Sequence, residues 1–262
     1  MIYLVYILVC LFACTIGTLC GMGGGIIIKP VLDSTGVMSV ATITFLSGCT
    51  VIAMTIWSVT KSLLKKESSI DLKNTTILAV SSGIGGLIGK QLFNLVSHCF
   101  ADKDMAGGVQ ASLLLAATLA TFIYYIKKDK LVPKKTESFI VMSMIGLILG
   151  VLGAFLGIGG GPFNVAVLSY FFSMDTKKAA ANSLYIVLFC QVTSTLKTTI
   201  TSGIPPFDVK ILLVMILFAI IGSEIGRKIN RYLNERRASL MLEGVMILIM
   251  GINVYNIYKF LG

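Results

Sequence analysis

Long apolar runs constrain this chain more than any other feature of its sequence. A bilayer core of about 30 Å takes about 20 apolar residues in one helical span. Eight windows approach that length with few or no charges, and they cover residues 2–20, 39–60, 75–97, 105–126, 138–156, 180–200, 208–227 and 238–258. The alternating segments of a membrane β-barrel do not occur. The sequence therefore predicts an all-α integral membrane protein with about eight long transmembrane helices.

The composition and the charge distribution agree with a bilayer location. With 56% hydrophobic and 13% charged residues and a mean hydropathy of +0.90, a soluble fold could not keep its apolar surface from water. The formal charge of +10 comes from basic residues in short loops rather than on one continuous face. This pattern orients a membrane protein and does not indicate nucleic-acid binding. We expect a multi-pass protein of a bacterial-type inner or plasma membrane, surrounded by lipid.

Motifs of catalysis and of cofactor binding are missing. Most of the six cysteines lie in apolar windows, and the single histidine, His98, lies in a polar loop, so neither a disulfide framework nor a metal site is indicated. The segment GIGGLIGKQ lacks a glycine and a hydroxyl residue that a phosphate loop needs, and no GxSxG or HExxH is found. The sequence predicts no enzyme, no cofactor and no metal.

A glycine-rich segment occurs twice. "GTLCGMGGGIIIKPVL" runs from Gly17 to Leu32, and "GAFLGIGGGPFNVAVL" runs from Gly153 to Leu168, 136 positions later. Further on, "GGLIGK" (85–90) matches "GSEIGR" (222–227). We infer two homologous halves, residues 1–130 and 138–262, joined by a basic cytoplasmic linker at residues 127–137. Internal repeats of this kind are typical of secondary transporters.

Each glycine-rich segment is too long for a single span. One straight helix over residues 2–32 would be about 46 Å long, which exceeds a bilayer core. Consecutive glycines disfavour a continuous helix, and Pro162 suits the first turn of a new one. We therefore predict half-helices over Ile26–Val37 and Pro162–Ser173.

The positions of the basic residues favour half-helices that return to the side from which they came. This re-entrant arrangement places about sixteen basic residues inside and about six outside. The inside group is Lys61, Lys65, Lys66, Lys73, the five linker lysines, Lys177, Lys178, Arg227, Lys228, Arg231, Arg236 and Arg237; outside are scattered residues such as Lys103, Lys210 and Lys259. The halves then form an inverted repeat with both termini outside. Single-crossing segments, forming a parallel repeat with both termini inside, are the alternative.

The helix breaks predict a binding site for a small anion. Free N–H groups and the positive end of the helix dipole meet at the start of each half-helix. The candidate binding residues are Gly23, Gly24, Gly25, Lys29, Gly159, Gly160, Gly161, Asn164, Thr42, Asn182 and Gln191. Lys29 is a candidate counter-charge, with snorkelling to the interface as the alternative. The polar side chains could equally bond neighbouring helices.

Glu224 is a candidate for proton coupling because it is an acid inside a predicted span. Arg227 and Lys228 follow at positions i+3 and i+4, so an interfacial ion pair is the structural alternative. The GxxxG pairs at 17–21, 85–89, 153–157 and 222–226 predict close helix packing.

The paired "GMGGGIIIKPVL" and "GIGGGPFNVAVL" resemble the TauE/SafE family of sulfite and organosulfonate exporters, over nearly the whole chain. The resemblance implies secondary transport of small anions such as sulfite, sulfonates or carboxylates. It carries over onto Gly21, Gly23–Gly25, Gly157, Gly159–Gly161 and Pro30. Lys29 departs from the family pattern, in which this position is usually apolar.

These arguments predict an anion carrier that works by alternating access about the two glycine breaks. An anion channel, a carrier of small carboxylates and a membrane scaffold without transport activity are the alternatives. A homodimer is compatible with this interpretation, and the coupling ion stays open.

Overall fold

The computed structural model describes residues 2–64, 70–99, 103–201 and 203–261. In these ranges the chain forms ten α-helices. They are α1 (Ile2–Cys20), α2 (Gly25–Thr35), α3 (Val40–Leu63), α4 (Leu72–Cys99), α5 (Lys103–Lys127), α6 (Phe139–Phe155), α7 (Pro162–Phe171), α8 (Thr176–Thr201), α9 (Val209–Tyr232) and α10 (Glu235–Leu261). Lys65 and Lys66, counted above in the loop charges, lie outside the described residues, as do the side chains of His98 and Lys103.

Six of the described helices are long and apolar enough to cross a membrane, namely α3, α4, α5, α8, α9 and α10. The two remaining predicted spans correspond to α1 and α6, which are shorter apolar helices that end at the glycine clusters. The predicted half-helices are α2 and α7, each ending two residues earlier than expected. An all-helical membrane protein with six long candidate spans is therefore confirmed, and the expected total of eight spans stays a prediction.

The breaks between α1 and α2 and between α6 and α7 have the same backbone geometry. Gly21 and Gly23 have φ values of 70° and 72°, and Gly157 and Gly159 both have 71°. This left-handed region strains every residue that carries a Cβ, which explains why glycine occupies the same two places in each cluster.

Hydrogen bonds define two ends of the helix bundle. At the linker end, the backbone N–H groups of Lys134 and Thr136 donate to the carbonyl oxygens of Tyr170 and Phe171 at 2.7 and 2.9 Å, so α7 ends beside the linker that precedes α6. At the opposite end, the Lys259 Nζ of α10 donates to the carbonyl oxygen of Ser34 at 3.0 Å. The two half-helices thus finish at opposite ends of the bundle.

Two helix pairs pack backbone to backbone through glycine. A Cβ added at Gly85 or Gly89 of α4 would overlap carbonyl oxygens of α6, and one added at Gly222 or Gly226 of α9 would overlap carbonyl oxygens of α1. The packing role predicted for these GxxxG pairs is confirmed. A Cβ at Gly85 would meet Leu147, and one at Gly222 would meet Leu11, so the same contact recurs at offsets of 137 and 136 positions, and each pair joins residues 1–130 to residues 138–262.

Candidate functional site

The two glycine breaks meet in the middle of the bundle, and we call residues 21–25 and 157–161 together the glycine junction. A Cβ added at Gly25 would lie 3.1 Å from the carbonyl oxygen of Ile158, and one added at Gly161 would lie 3.2 Å from Cδ1 of Ile26. A Cβ at Gly157 would lie 3.1 Å from Cε of Lys29. The two breaks therefore touch each other, and the second break also touches the half-helix α2 of the first half.

Helices α3 and α8 wall the glycine junction from two sides. A Cβ added at Gly23 would lie 3.5 Å from Cγ1 of Val51 in α3 and 3.4 Å from Cγ1 of Val187 in α8. Ser47 and Ser183 are fully buried, and within the described part of the chain neither hydroxyl has a hydrogen-bond partner. A Cβ added at Gly25 would lie 3.3 Å from Ser47 Oγ, so the α3 wall combines apolar packing with a hydroxyl group at the junction.

Lys29 lies at the junction but is not a lone charge. Its Nζ is 2.6 Å from Oδ2 of Asp33, and both side chains are about 4% exposed. Snorkelling to an interface is therefore wrong for this lysine, since it is buried and held by an acid one helical turn away. The second carboxylate oxygen of Asp33, Oδ1, has no partner among the described residues.

Asn164 and Gln191 bring amide groups to the second break. Asn164 is 1% exposed, and neither its Nδ2 nor its Oδ1 has a partner in the described ranges. The Oε1 of Gln191 accepts a hydrogen bond from Ser194 Oγ at 3.2 Å, whereas its Nε2 has no described partner. Burying an unpaired amide costs about 1–3 kcal/mol, so both side chains hold hydrogen-bonding capacity that the described residues do not use.

Two of the predicted site residues lie elsewhere. Thr42 lies at the start of α3, where its backbone N–H donates to Ser39 Oγ at 3.2 Å. Asn182 lies near the linker end, where its Oδ1 accepts from Thr75 Oγ1 at 2.6 Å and from the backbone N–H of Asp71 at 2.9 Å. The Thr42 hydroxyl also lies 2.9 Å from Ser39 Oγ, and Asn182 bonds the start of α4, so these hydrogen bonds direct both side chains away from the glycine junction.

Glu224 is part of a small polar cluster in α9. Its Oε2 accepts from Arg227 Nε at 3.0 Å and from Trp57 Nε1 at 3.1 Å. The ion pair expected from the i,i+3 spacing is present. A role in proton coupling stays a prediction.

Lys90 is a buried cation that our sequence analysis did not single out. It is 7% exposed, and its Nζ lies 5.0 Å from the ring centroid of Phe93. In the part of the chain that the structure describes, no ion pair involves it. The sequence contained an indication, because Lys90 is a lysine inside a predicted span and matches Arg227 in the duplicated "GGLIGK" and "GSEIGR".

Two cavities reach towards the centre of the bundle. One holds about 170 Å³ and is lined by polar and basic side chains that include Ser58, Ser62 and Arg227. The other holds about 10 Å³ and is lined by residues that include Lys90, Gly157 and Gln191. The second is no larger than the space that one water molecule requires.

Comparisons with known proteins agree with the transport function that the resemblance implied. The family described as "Sulfite exporter TauE/SafE" matches residues 6–254. A relative from Bacillus subtilis (strain 168), "Probable membrane transporter protein YunE", is 27% identical over 271 residues, which covers 95% of this chain and 96% of the relative. No solved structure matches the chain.

Proposed function

Because the chain belongs to the TauE/SafE sulfite exporter family of membrane transporters, we propose that it is a secondary transporter of small sulfur-containing anions such as sulfite and organosulfonates. The observation that supports this most is the glycine junction, where two helix breaks meet beside a buried lysine and unpaired amide groups. Transport proceeds by alternating access, with the anion held at the junction.

The chemistry of the junction suits an oxyanion. Small oxyanions need several hydrogen-bond donors and a modest positive potential, which the starts of α2 and α7 and the Lys29 ammonium supply. Asp33 neutralises part of the lysine charge. A partly neutralised site binds an anion loosely enough to release it, as a transporter requires. Sulfonates and sulfite fit such a site. Small carboxylates are the alternative substrates, and competition experiments distinguish them from the sulfur-containing anions.

In this proposal the two halves form an inverted repeat in the membrane, with the linker end in the cytoplasm. The half-helices α2 and α7 are re-entrant, and each returns to the end at which its preceding helix begins. Supporting this orientation, the basic residues of the linker and of the α9–α10 junction lie at the linker end, as the positive-inside rule predicts. For example, Lys177 Nζ donates to the carbonyl oxygen of Leu233 there at 2.8 Å.

Flux through purified protein in liposomes tests the proposed function. We expect saturable uptake of sulfite or sulfoacetate, competition between these anions, and accumulation against a gradient when a counter-gradient is imposed. A channel would pass the anion without accumulating it. Gly24→Leu and Gly160→Leu should each abolish flux, since their added side chains would collide with Cys14 and with Asn164 and Val187.

Gly244→Leu is the matched control, because the position has open space around it. It should transport like the wild type. Normal flux in both junction variants would show that the anion does not pass the glycine junction. Uptake of carboxylates but of no sulfur-containing anion would reassign the substrate class.

A further inference from the structure

The two cavities lie at opposite ends of the same helix pair. The larger one is lined by Ser62 from the last turns of α3 and by Ala181 from the first turns of α8. The smaller one is lined by Phe45 from the first turns of α3 and by Thr198 from the last turns of α8. Gly157 of the glycine junction lines the smaller cavity. We call the larger one the linker-end cavity and the smaller one the opposite-end cavity.

The linings of the two cavities are related by the sequence duplication. Residues that face the linker-end cavity in one half recur, 136 or 137 positions away, as residues that face the opposite-end cavity. Such pairs include Ser58 and Ser194, Ser62 and Thr198, and Lys90 and Arg227. Residues at equivalent positions of the two halves therefore line the two cavities. We interpret the cavities as the same structural feature, formed twice.

The equivalent cations differ in their surroundings. Arg227 lies beside the wide cavity with Lys177 and Arg231, and its guanidinium is held by Glu224. Lys90 lies beside the narrow cavity, is 7% exposed, and has no acidic partner among the described residues. A buried ammonium without a carboxylate is costly unless an anion visits it. The nearby Nε2 of Gln191, also without a described partner, is a second donor facing the same small space.

We propose that Arg227 and Lys90 are equivalent anion-binding residues at the two mouths of one route, and that the structure has the linker-end mouth open and the opposite-end mouth closed. This rests on the proposed function and deepens it, because it assigns the entry sites and the conformational state. The linker-end cavity closes as the opposite-end cavity opens. In this conformational change each half adopts the conformation that the other half had, with the glycine junction as the pivot. The ligand class at both mouths is a small oxyanion.

Cysteine labelling tests the proposal on the full-length protein in detergent. The background carries Cys49→Ser and Cys99→Ser, since the other native cysteines are buried. Ser62→Cys and Thr198→Cys are a matched pair, one from each mouth, and a small neutral maleimide measures their accessibility. Without ligand, we expect Ser62→Cys to react at least about tenfold faster, because the minor conformer of a two-state protein is commonly populated at about 10% or less.

A second variant shifts the equilibrium between the two conformations in the absence of substrate. Thr198→Trp cannot be accommodated in the closed mouth, so it should favour the other conformation and slow labelling at Ser62→Cys by about tenfold. Leu196→Trp is the control, because Leu196 lies in the same part of α8 but is 55% exposed. Thr198→Phe repeats the change with a smaller side chain, and each protein is compared only after it elutes as the wild-type species in gel filtration.

Reciprocal changes at the two mouths support the proposal. Equal labelling of Ser62→Cys and Thr198→Cys without ligand overturns it, and so does labelling at Ser62→Cys that is unchanged by both Thr198 substitutions. Added sulfoacetate separates this inference from the proposed function. If the Thr198 substitutions shift labelling but sulfoacetate neither binds nor is transported, the two-mouth mechanism stands and the proposed substrate class fails.

Discussion

Lys29 and Asp33 form a buried ion pair one turn into α2, and its contribution to the free energy of unfolding can be measured. Lys29→Met leaves the Asp33 carboxylate buried without its partner, which should lower the free energy of unfolding by roughly 3–5 kcal/mol. The double variant Lys29→Met, Asp33→Leu removes both charges and should recover most of that stability. Thermal unfolding in detergent measures both effects.

The same double variant separates the structural role of Lys29 from a role in binding. If the ammonium also meets the anion, flux should stay at least about tenfold below wild type, a loss of about 1.4 kcal/mol, although stability has returned. A double variant that transports normally would remove Lys29 from the anion route and leave it as a packing element of α2.

Asn164 offers a sharper contrast between stability and function. Its side chain is buried with both polar atoms unpaired in the described structure, and the equivalent residue of the first half is Ile28. Asn164→Leu should therefore raise the unfolding temperature while lowering anion flux, since unpaired polar groups in native proteins are commonly kept for function. A variant that unfolds at a lower temperature would indicate a structural bond that this conformation does not contain.

The local spacing of residues predicts some of these contacts and cannot predict others. Lys29 and Asp33 are four residues apart on one helix, so their pairing is visible in the sequence, although the lysine alone suggests only a counter-charge for the anion. The burial of Lys90 depends on α6 and α8, which tertiary packing brings against α4 from distant parts of the chain. Periodicity within α4 carries no information about those neighbours.

At the scale of helices, substituting the glycines that pack α4 against α6 should destabilise the protein, although alanine has a higher helix propensity than glycine. Gly85→Ala places a methyl group against the carbonyl oxygen of Leu147, so the helices must separate along their length. We expect a lower unfolding temperature and a larger aggregated fraction in gel filtration. Gly251→Ala in α10 meets nothing within 4 Å and should be neutral or stabilising by up to about 1 kcal/mol, because alanine favours a helix.

The positions of the helix breaks were predictable because consecutive glycines interrupt any helix, whatever surrounds them. The predicted windows 2–20 and 138–156 agree closely with α1 (Ile2–Cys20) and α6 (Phe139–Phe155), and both helices end at the glycine clusters. How the two breaks meet was not predictable, because it depends on contacts such as that of Gly25 with the carbonyl oxygen of Ile158, from a distant part of the chain. The composition of a segment indicates how apolar it is, whereas the backbone conformation at the glycines determines where the helix ends.

For the whole molecule, the re-entrant arrangement of α2 and α7 predicts which side of the membrane the linker and the C-terminus face. The linker lies at one end of the bundle, and the starts of α1 and α3 and the end of α10 lie at the other. A reporter that is active only in the cytoplasm should therefore work when fused after Lys130 and fail when fused after residue 262. Activity at both positions would favour the parallel repeat, in which each glycine segment crosses the membrane once.

The two half-helices are held by parts of the chain that are made at very different times. The α7 end bonds linker residues synthesised shortly before it, through Lys134 and Thr136. The α2 segment depends on α10, since Asn256 Nδ2 donates to the carbonyl oxygen of Pro30 at 2.9 Å across 226 positions of sequence. During biosynthesis the hydrogen bonds between α7 and the linker can therefore form as soon as α7 has been made, whereas the hydrogen bond between α10 and α2 cannot form until α10 has left the ribosome. The contacts around the first half-helix are thus complete only at the end of synthesis.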